Sequence, residues 1–177
     1  ALFQDNWFYI LYFQEPGIAE AEFEADVRKT MRTILAGVAG FDPTAPQVQV
    51  RKKGDKFLAG INAPEKLPAW LTEDDVEFFA KEFERSGFRG GLNRYRNMDR
   101  DWEELPQLAD AKIAQPALFI TGENDPVRAF APADAMKPLV PGLKDMIVIP
   151  GAGHWIQQER AAEVNNALLT FLKELPA

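Results

Sequence analysis

The 177 residues are 46% apolar and 27% charged with a formal net charge of -7, which describes a folding globular chain and disfavours nucleic acid and anionic membrane surfaces as partners. The absence of cysteine excludes disulfides, thiolate nucleophiles and thiolate metal sites, and a single histidine excludes a histidine-rich metal centre. This composition suits a reducing, cytoplasmic setting, and no apolar run approaches the roughly 20 residues that span a bilayer as a helix.

The opening stretch, "ALFQDNWFYILYFQEPG", has no basic flank and is interrupted by Gln4, Asp5, Asn6 and Gln14, so it does not read as a signal peptide. It begins mid-pattern without methionine, and the chain is expected to be a fragment. From Ala19 to about Val38, Phe23, Val27, Met31, Ile34 and Val38 recur at helical spacing, with acids early and bases later, and this predicts one helix. Gly40, Pro43 and Pro46 stop it, and 41–68 reads as loop with one short extended piece. Thr72 with Asp75 forms a capping-box pattern at the start of a helix striped by Val76, Phe79 and Phe83 and ended by Gly87. "FRGGLNRYRNMDRDWEEL" follows as one or two short helices.

After Pro106 the pattern changes. "PALFITG" (116–122) and "DMIVIPG" (145–151) read as two strands with helical sequence between them, and 159–175 reads as a helix presenting Val164, Leu168, Phe171, Leu172 and Leu175 on one face. Strand, helix, strand, helix predicts an α/β fold with parallel strands and crossover helices. Two strands are too few to cover both faces and edges of such a sheet, so this half looks incomplete by itself. The expected division is a mostly helical portion, 1–104, and a strand-and-helix portion, 105–177.

Parallel strands end on one edge, and ligands of open α/β folds bind beyond those carboxyl ends. Asp125 lies just past the first predicted strand and His154, the only histidine, just past the second. A carboxylate that accepts the Nδ1 proton of an imidazole fixes its tautomer and leaves Nε2 as a general base. Taken alone, His154 reads as an ordinary loop histidine and Asp125 as a turn former in Asn-Asp-Pro. Their placement on two neighbouring strand ends favours the acid-base pair.

"GAGHW", "ITGENDPV", "YILYFQEPG" and "SGFRGGLNRYRNMDRDWE" together resemble the cap and C-terminal core of the soluble epoxide hydrolases of the α/β-hydrolase type. The resemblance covers nearly the whole chain and is strongest at 7–35, at 72–103 and from 116 onward. It implies a helical cap (1–104) followed by the C-terminal part of an α/β-hydrolase core (105–177). It also implies a nucleophilic aspartate that opens the epoxide to a covalent ester, with His154 as the water-activating base and Asp125 as its orienting acid. Tyr9 and Tyr95 match the two cap tyrosines that donate to the epoxide oxygen, and Trp155 would wall the substrate pocket. A phenol with a pKa of about 10 stays protonated at neutral pH and still protonates an alkoxide. The product is a vicinal diol, and no metal or organic cofactor is implied.

What the sequence lacks is a glycine-flanked nucleophile turn and an oxyanion-hole loop. The implied partners are therefore a small-molecule epoxide and the N-terminal half of the hydrolase core, with a homodimer as a further expectation, and the chain alone is expected to be inactive. The expectation is that the imidazole at 154, the carboxylate at 125 and the phenols at 9 and 95 serve one cavity. Tyr12, three residues beyond Tyr9, is separated from it only by register within the motif. Three alternatives stay open: a haloalkane dehalogenase-like hydrolase, a non-catalytic binding module on the same scaffold, and a stand-alone helical domain.

Overall fold

The computed structural model describes residues 7–39, 52, 54–61, 64–129 and 133–175, which fall into two units, Ala1–Leu105 and Pro106–Ala177. The first is helical: α1 (Tyr9–Tyr12), α2 (Ile18–Glu24), α3 (Val27–Ala39), α4 (Glu73–Ser86), α5 (Arg89–Arg96) and α6 (Met98–Glu104). The single helix expected over 19–38 is thus two helices. The break falls at Ala25 and Asp26, where the Asp26 carboxylate accepts the Lys29 amide at 2.9 Å and its carbonyl accepts the Thr30 amide at 2.9 Å. An aspartate so placed caps the next helix rather than continuing the previous one. The buried Thr30 hydroxyl then donates to the Phe23 carbonyl at 2.9 Å and stitches the two helices together.

The Thr72 capping box forms as expected: the Asp75 amide donates to the Thr72 hydroxyl at 3.1 Å, and the Thr72 amide to the Asp75 carboxylate at 2.9 Å. Such a cap contributes about 1 kcal/mol. Gly87 ends α4 with φ +67°, a conformation that carries no penalty for a residue without Cβ. Helix α4 packs against α3 through the fully buried Val76 and Ala80, with Arg28 and Arg32 of α3 paired to Glu73 at the rim. "FRGGLNRYRNMDRDWEEL" yields two helices, α5 and α6. The loop expected over 41–68 is described at 52, 54–61 and 64–68, where it contains a 3-10 turn at Leu58–Gly60; the rest lies outside the described residues.

In the second unit β1 (Ala117–Gly122) and β2 (Leu143–Ile149) pair in parallel, with Ile120 opposite Ile147 and Gly122 opposite Ile149. The crossover helix expected between them is replaced, among the described residues, by two 3-10 turns at Pro126–Ala129 and Ala133–Met136. Prolines at 126, 132, 138 and 141 remove the amide donors an α-helix would need there. The helix expected over 159–175 is α8 (Ala161–Lys173), preceded by the short α7 (Ile156–Glu159), from which Arg160 separates it at φ -137° and ψ 48°. Ile149, Ala152, Ile156 and Val164 form the buried core of this unit, with Ile120 and Ile147 packed on it. Of the apolar face expected on the last helix, Val164 reaches that core, whereas Leu168 and Leu172 stand exposed at 43% and 58%. Among the described residues no helix is long and apolar enough to cross a membrane.

Candidate active site

Because Gly122 pairs with Ile149, the loops that follow β1 and β2 leave the same sheet edge side by side. They are then tied together: the Glu123 amide donates to the Ile149 carbonyl at 3.0 Å, the Asn124 amide to the Ala152 carbonyl at 2.8 Å, and the Gly151 amide to the Glu123 carboxylate at 2.8 Å. The approach is close enough to require glycine at 122, since a Cβ there would meet the backbone of Ala152 and Gly153. This register brings Asp125 Oδ1 within 3.0 Å of His154 Nδ1. The same oxygen accepts the Val127 amide at 2.9 Å, an Asx turn that fixes the carboxylate before the imidazole reaches it. The Asp125 side chain is 15% exposed and that of His154 33%, so the acid is sheltered while the ring keeps an open side.

A carboxylate facing Nδ1 accepts its proton, which leaves Nε2 with a lone pair and stabilises the imidazolium formed when Nε2 takes up a proton. The pair can therefore serve as an oriented base. Trp155 packs edge-on against the imidazole, with ring centroids 4.8 Å apart. Its indole Nε1 is buried and has no hydrogen-bond partner among the described residues.

The first unit holds the tyrosines. Tyr9 on α1 and Tyr95 on α5 meet edge to face with ring centroids 5.8 Å apart, and Phe13 packs against both, at 5.7 Å from Tyr9 and 5.0 Å from Tyr95. Tyr12 is engaged elsewhere, its hydroxyl donating to the Glu22 carboxylate at 2.7 Å. The structure thus brings together Tyr9 with Tyr95 and His154 with Asp125, each pair within one unit. Among the described residues no cluster of three or more His, Asp and Glu side chains could hold a metal ion.

A family model described as the alpha/beta hydrolase family matches residues 17–167. The chain belongs to that family. Within the alpha/beta hydrolases it is 45% identical to epoxide hydrolase A of Mycobacterium tuberculosis (strain ATCC 25618 / H37Rv), over 98% of this chain and 54% of that protein. It is 38% identical to epoxide hydrolase 2 of Siraitia grosvenorii, over 98% of this chain and 55% of the relative. Among solved structures it is similar to epoxide hydrolase A from Mycobacterium thermoresistibile, with a TM-score of 0.92 and 46% identity over 98% of this chain and 54% of the other. The chain spans about half the length of the relatives it matches.

Two features of this alpha/beta hydrolase chain escape motif reading. Glu159 on α7 turns its carboxylate back to accept the Gly153 amide at 2.7 Å and the Trp155 amide at 2.8 Å, bracketing His154 on both sides. An acid in the first turn of a helix is the available signal, but it does not say which upstream amides are capped. In the other unit Arg96, next to Tyr95, spends its guanidinium on groups near α1 and α2 that lie far away in sequence. Nothing local announces that contact.

Proposed function

We propose that this chain is the lid and the acid-base half of an epoxide hydrolase whose nucleophilic aspartate is carried by an N-terminal segment of the hydrolase core. The aspartate attacks an epoxide carbon, the C–O bond breaks, and the phenols of Tyr9 and Tyr95 hydrogen-bond the oxygen and protonate it as the ester forms. His154 Nε2 then removes a proton from water, and the resulting hydroxide adds to the ester carbonyl. The C–O bond to the diol breaks with the diol oxygen taking the acid proton, so that the carboxylate is regenerated, and the imidazolium proton returns through solvent to the phenol that gave one up. Asp125 holds the ring in register and balances its transient positive charge. The observation that carries this reading is the edge-to-face Tyr9 and Tyr95 pair, with ring centroids 5.8 Å apart: two phenols in ring contact suit an oxygen leaving group that acquires a proton. The names of the relatives support the same substrate class.

A haloalkane dehalogenase-like reaction has one observation in its favour, the buried and unpartnered indole N–H of Trp155, because a halide is held by N–H donors. It leaves the tyrosine pair without a task, and the first reading stands ahead of it. The test is styrene oxide against a chloroalkane, with the nucleophile-bearing half present. The expected result is diol release without halide release. Tyr95→Phe should slow ester formation, whereas His154→Gln should accumulate an ester visible as a mass increment of one epoxide. A His154→Gln protein that turns over normally with no trapped ester would refute the role given to the imidazole.

A further inference from the structure

Resting on the epoxide hydrolase reading, we propose that Arg96, with Glu20 and Gln14, is the clamp that sets the mutual position of Tyr9 and Tyr95. A guanidinium has five N–H donors in a fixed plane, and here each donor nitrogen is engaged. Nε donates to the Phe13 carbonyl at 2.9 Å. Nη1 donates to Glu20 Oε1 at 2.7 Å and to Asn93 Oδ1 at 3.3 Å, and Nη2 to Glu20 Oε2 at 2.9 Å and to the Glu15 carbonyl at 3.3 Å. The acceptors are the segment that leaves α1, the first turn of α2, and α5 itself. Gln14 Nε2 adds a second strap, donating to the Ile10 carbonyl within α1 and to the Tyr95 carbonyl on α5, both at 3.0 Å. Tyr9 opens α1 and Tyr95 immediately precedes Arg96, so both straps join the two backbones that carry the phenols.

The arrangement is costly as a means of stability alone. The Arg96 and Glu20 side chains are 11% and 13% exposed, and a desolvated ion pair is often no more stabilising than packed apolar residues. What it supplies is geometry: a bidentate plane fixes direction as well as distance, which a lysine cannot do. Two phenols that must reach one oxygen depend on such fixing, because a reacting group misplaced by about 1 Å loses about 100-fold in rate. Arg96 is therefore a positioning residue. Its removal should affect only the step that uses the tyrosines.

The experiment is single-turnover kinetics with styrene oxide in the nucleophile-bearing enzyme, comparing wild type, Arg96→Lys and Glu20→Gln, with thermal melts establishing that each is folded at the assay temperature. Arg96→Lys should lower the ester-formation rate about 100-fold and leave ester hydrolysis within about threefold. Glu20→Gln keeps the shape and one acceptor, and should lower ester formation about tenfold; it carries the test if Arg96→Lys does not fold. Ester formation at the wild-type rate in a folded variant would overturn the clamp, as would a parallel fall of both steps. A wild type that forms no ester would instead overturn the epoxide hydrolase reading, so the two failures are distinguishable.

Discussion

Replacing Gly122 by alanine should separate the imidazole from its acid without touching either. The residue ends β1, and a Cβ placed there would lie 2.7 Å from the Ala152 carbonyl carbon and closer still to the carbonyl oxygens of Ala152 and Gly153. All three are backbone atoms, so no side-chain rotation relieves the contact. The nearest of them is the Gly153 carbonyl oxygen, so restoring an ordinary separation of 3.4 Å requires the 152–153 strip to retreat by about 1.2 Å. That strip holds the Asn124 amide on the Ala152 carbonyl at 2.8 Å and the Gly153 amide on Glu159 at 2.7 Å, and a retreat of this size weakens or breaks both. Overpacking of about 1–3 kcal/mol plus about 1 kcal/mol for each of the two weakened bonds gives a destabilisation of about 3–5 kcal/mol. His154 is the next residue, so in the proposed reaction the same shift should slow ester hydrolysis about 100-fold while ester formation, assigned there to the tyrosines, is spared. Urea unfolding reads the first effect as a lowered midpoint at constant m-value, and single-turnover kinetics reads the second. A loss below about 0.5 kcal/mol, or ester hydrolysis at the wild-type rate, would refute the argument that this glycine sets the spacing of the two loops.

Glu159→Ala should leave the Gly153 and Trp155 amides without their acceptor, lower stability by about 1–3 kcal/mol and slow ester hydrolysis but not ester formation; unchanged hydrolysis would show that His154 keeps its place without the bracket. The hydrogen bonds from Arg96 pull the Glu20 carboxyl down from 4.5 to about 2. Its folded pKa is the lower one, so the unfolded chain binds the extra proton: the stabilisation is fully present above about pH 4.5 and is lost as pH falls through about 2. At neutral pH the shift corresponds to at most about 3 kcal/mol between the charged and neutral carboxyl, part of which solvent screening removes. Stability measured by urea unfolding between pH 5 and pH 2 should therefore fall less steeply in Glu20→Gln than in wild type, and equal slopes would contradict the assignment.

Legibility from sequence followed the range of the interaction. The parallel strands were readable because two apolar runs, each closed by a glycine turn, leave little choice of topology once a crossover separates them. With topology given, acids and bases just past the strand ends become neighbours, so the contact of Asp125 with His154 could be anticipated across 29 residues. The Thr72 cap was readable because its partner lies three residues away. The helix break at Asp26 is not readable, because the residue sits inside a run whose apolar spacing, from Phe23 to Val27, continues across it. The helix expected between the strands does not form among the described residues, because the prolines at 126, 132, 138 and 141 each remove a donor from so short a segment. Arg96 was invisible for a plainer reason: its carboxylate partner is 76 residues away, and no spacing rule reaches so far.

Under the proposed function, the contacts also separate the groups given a chemical role from the groups that hold them. The His154 ring touches Asp125 and Trp155 and keeps a third of its surface open, while the backbone on either side of it is fixed by Glu159, and the neighbouring loop by Glu123 and Gly122. Tyr95 meets Tyr9 and Phe13 through its ring, while its backbone is strapped by Gln14 and flanked by the Arg96 clamp. A conservative change at a reacting side chain, such as Tyr95→Phe, removes a proton donor and little of the packing, so its defect reports chemistry. A change at Arg96, Glu159 or Gly122 leaves every reacting atom present and moves it, so its defect reports geometry. Because each holding group serves one pair, the two classes of geometric defect should fall on different steps, ester formation for the Arg96 clamp and ester hydrolysis for the Glu159 bracket. A variant of either kind that slowed the other step would mean that the two pairs are not held independently.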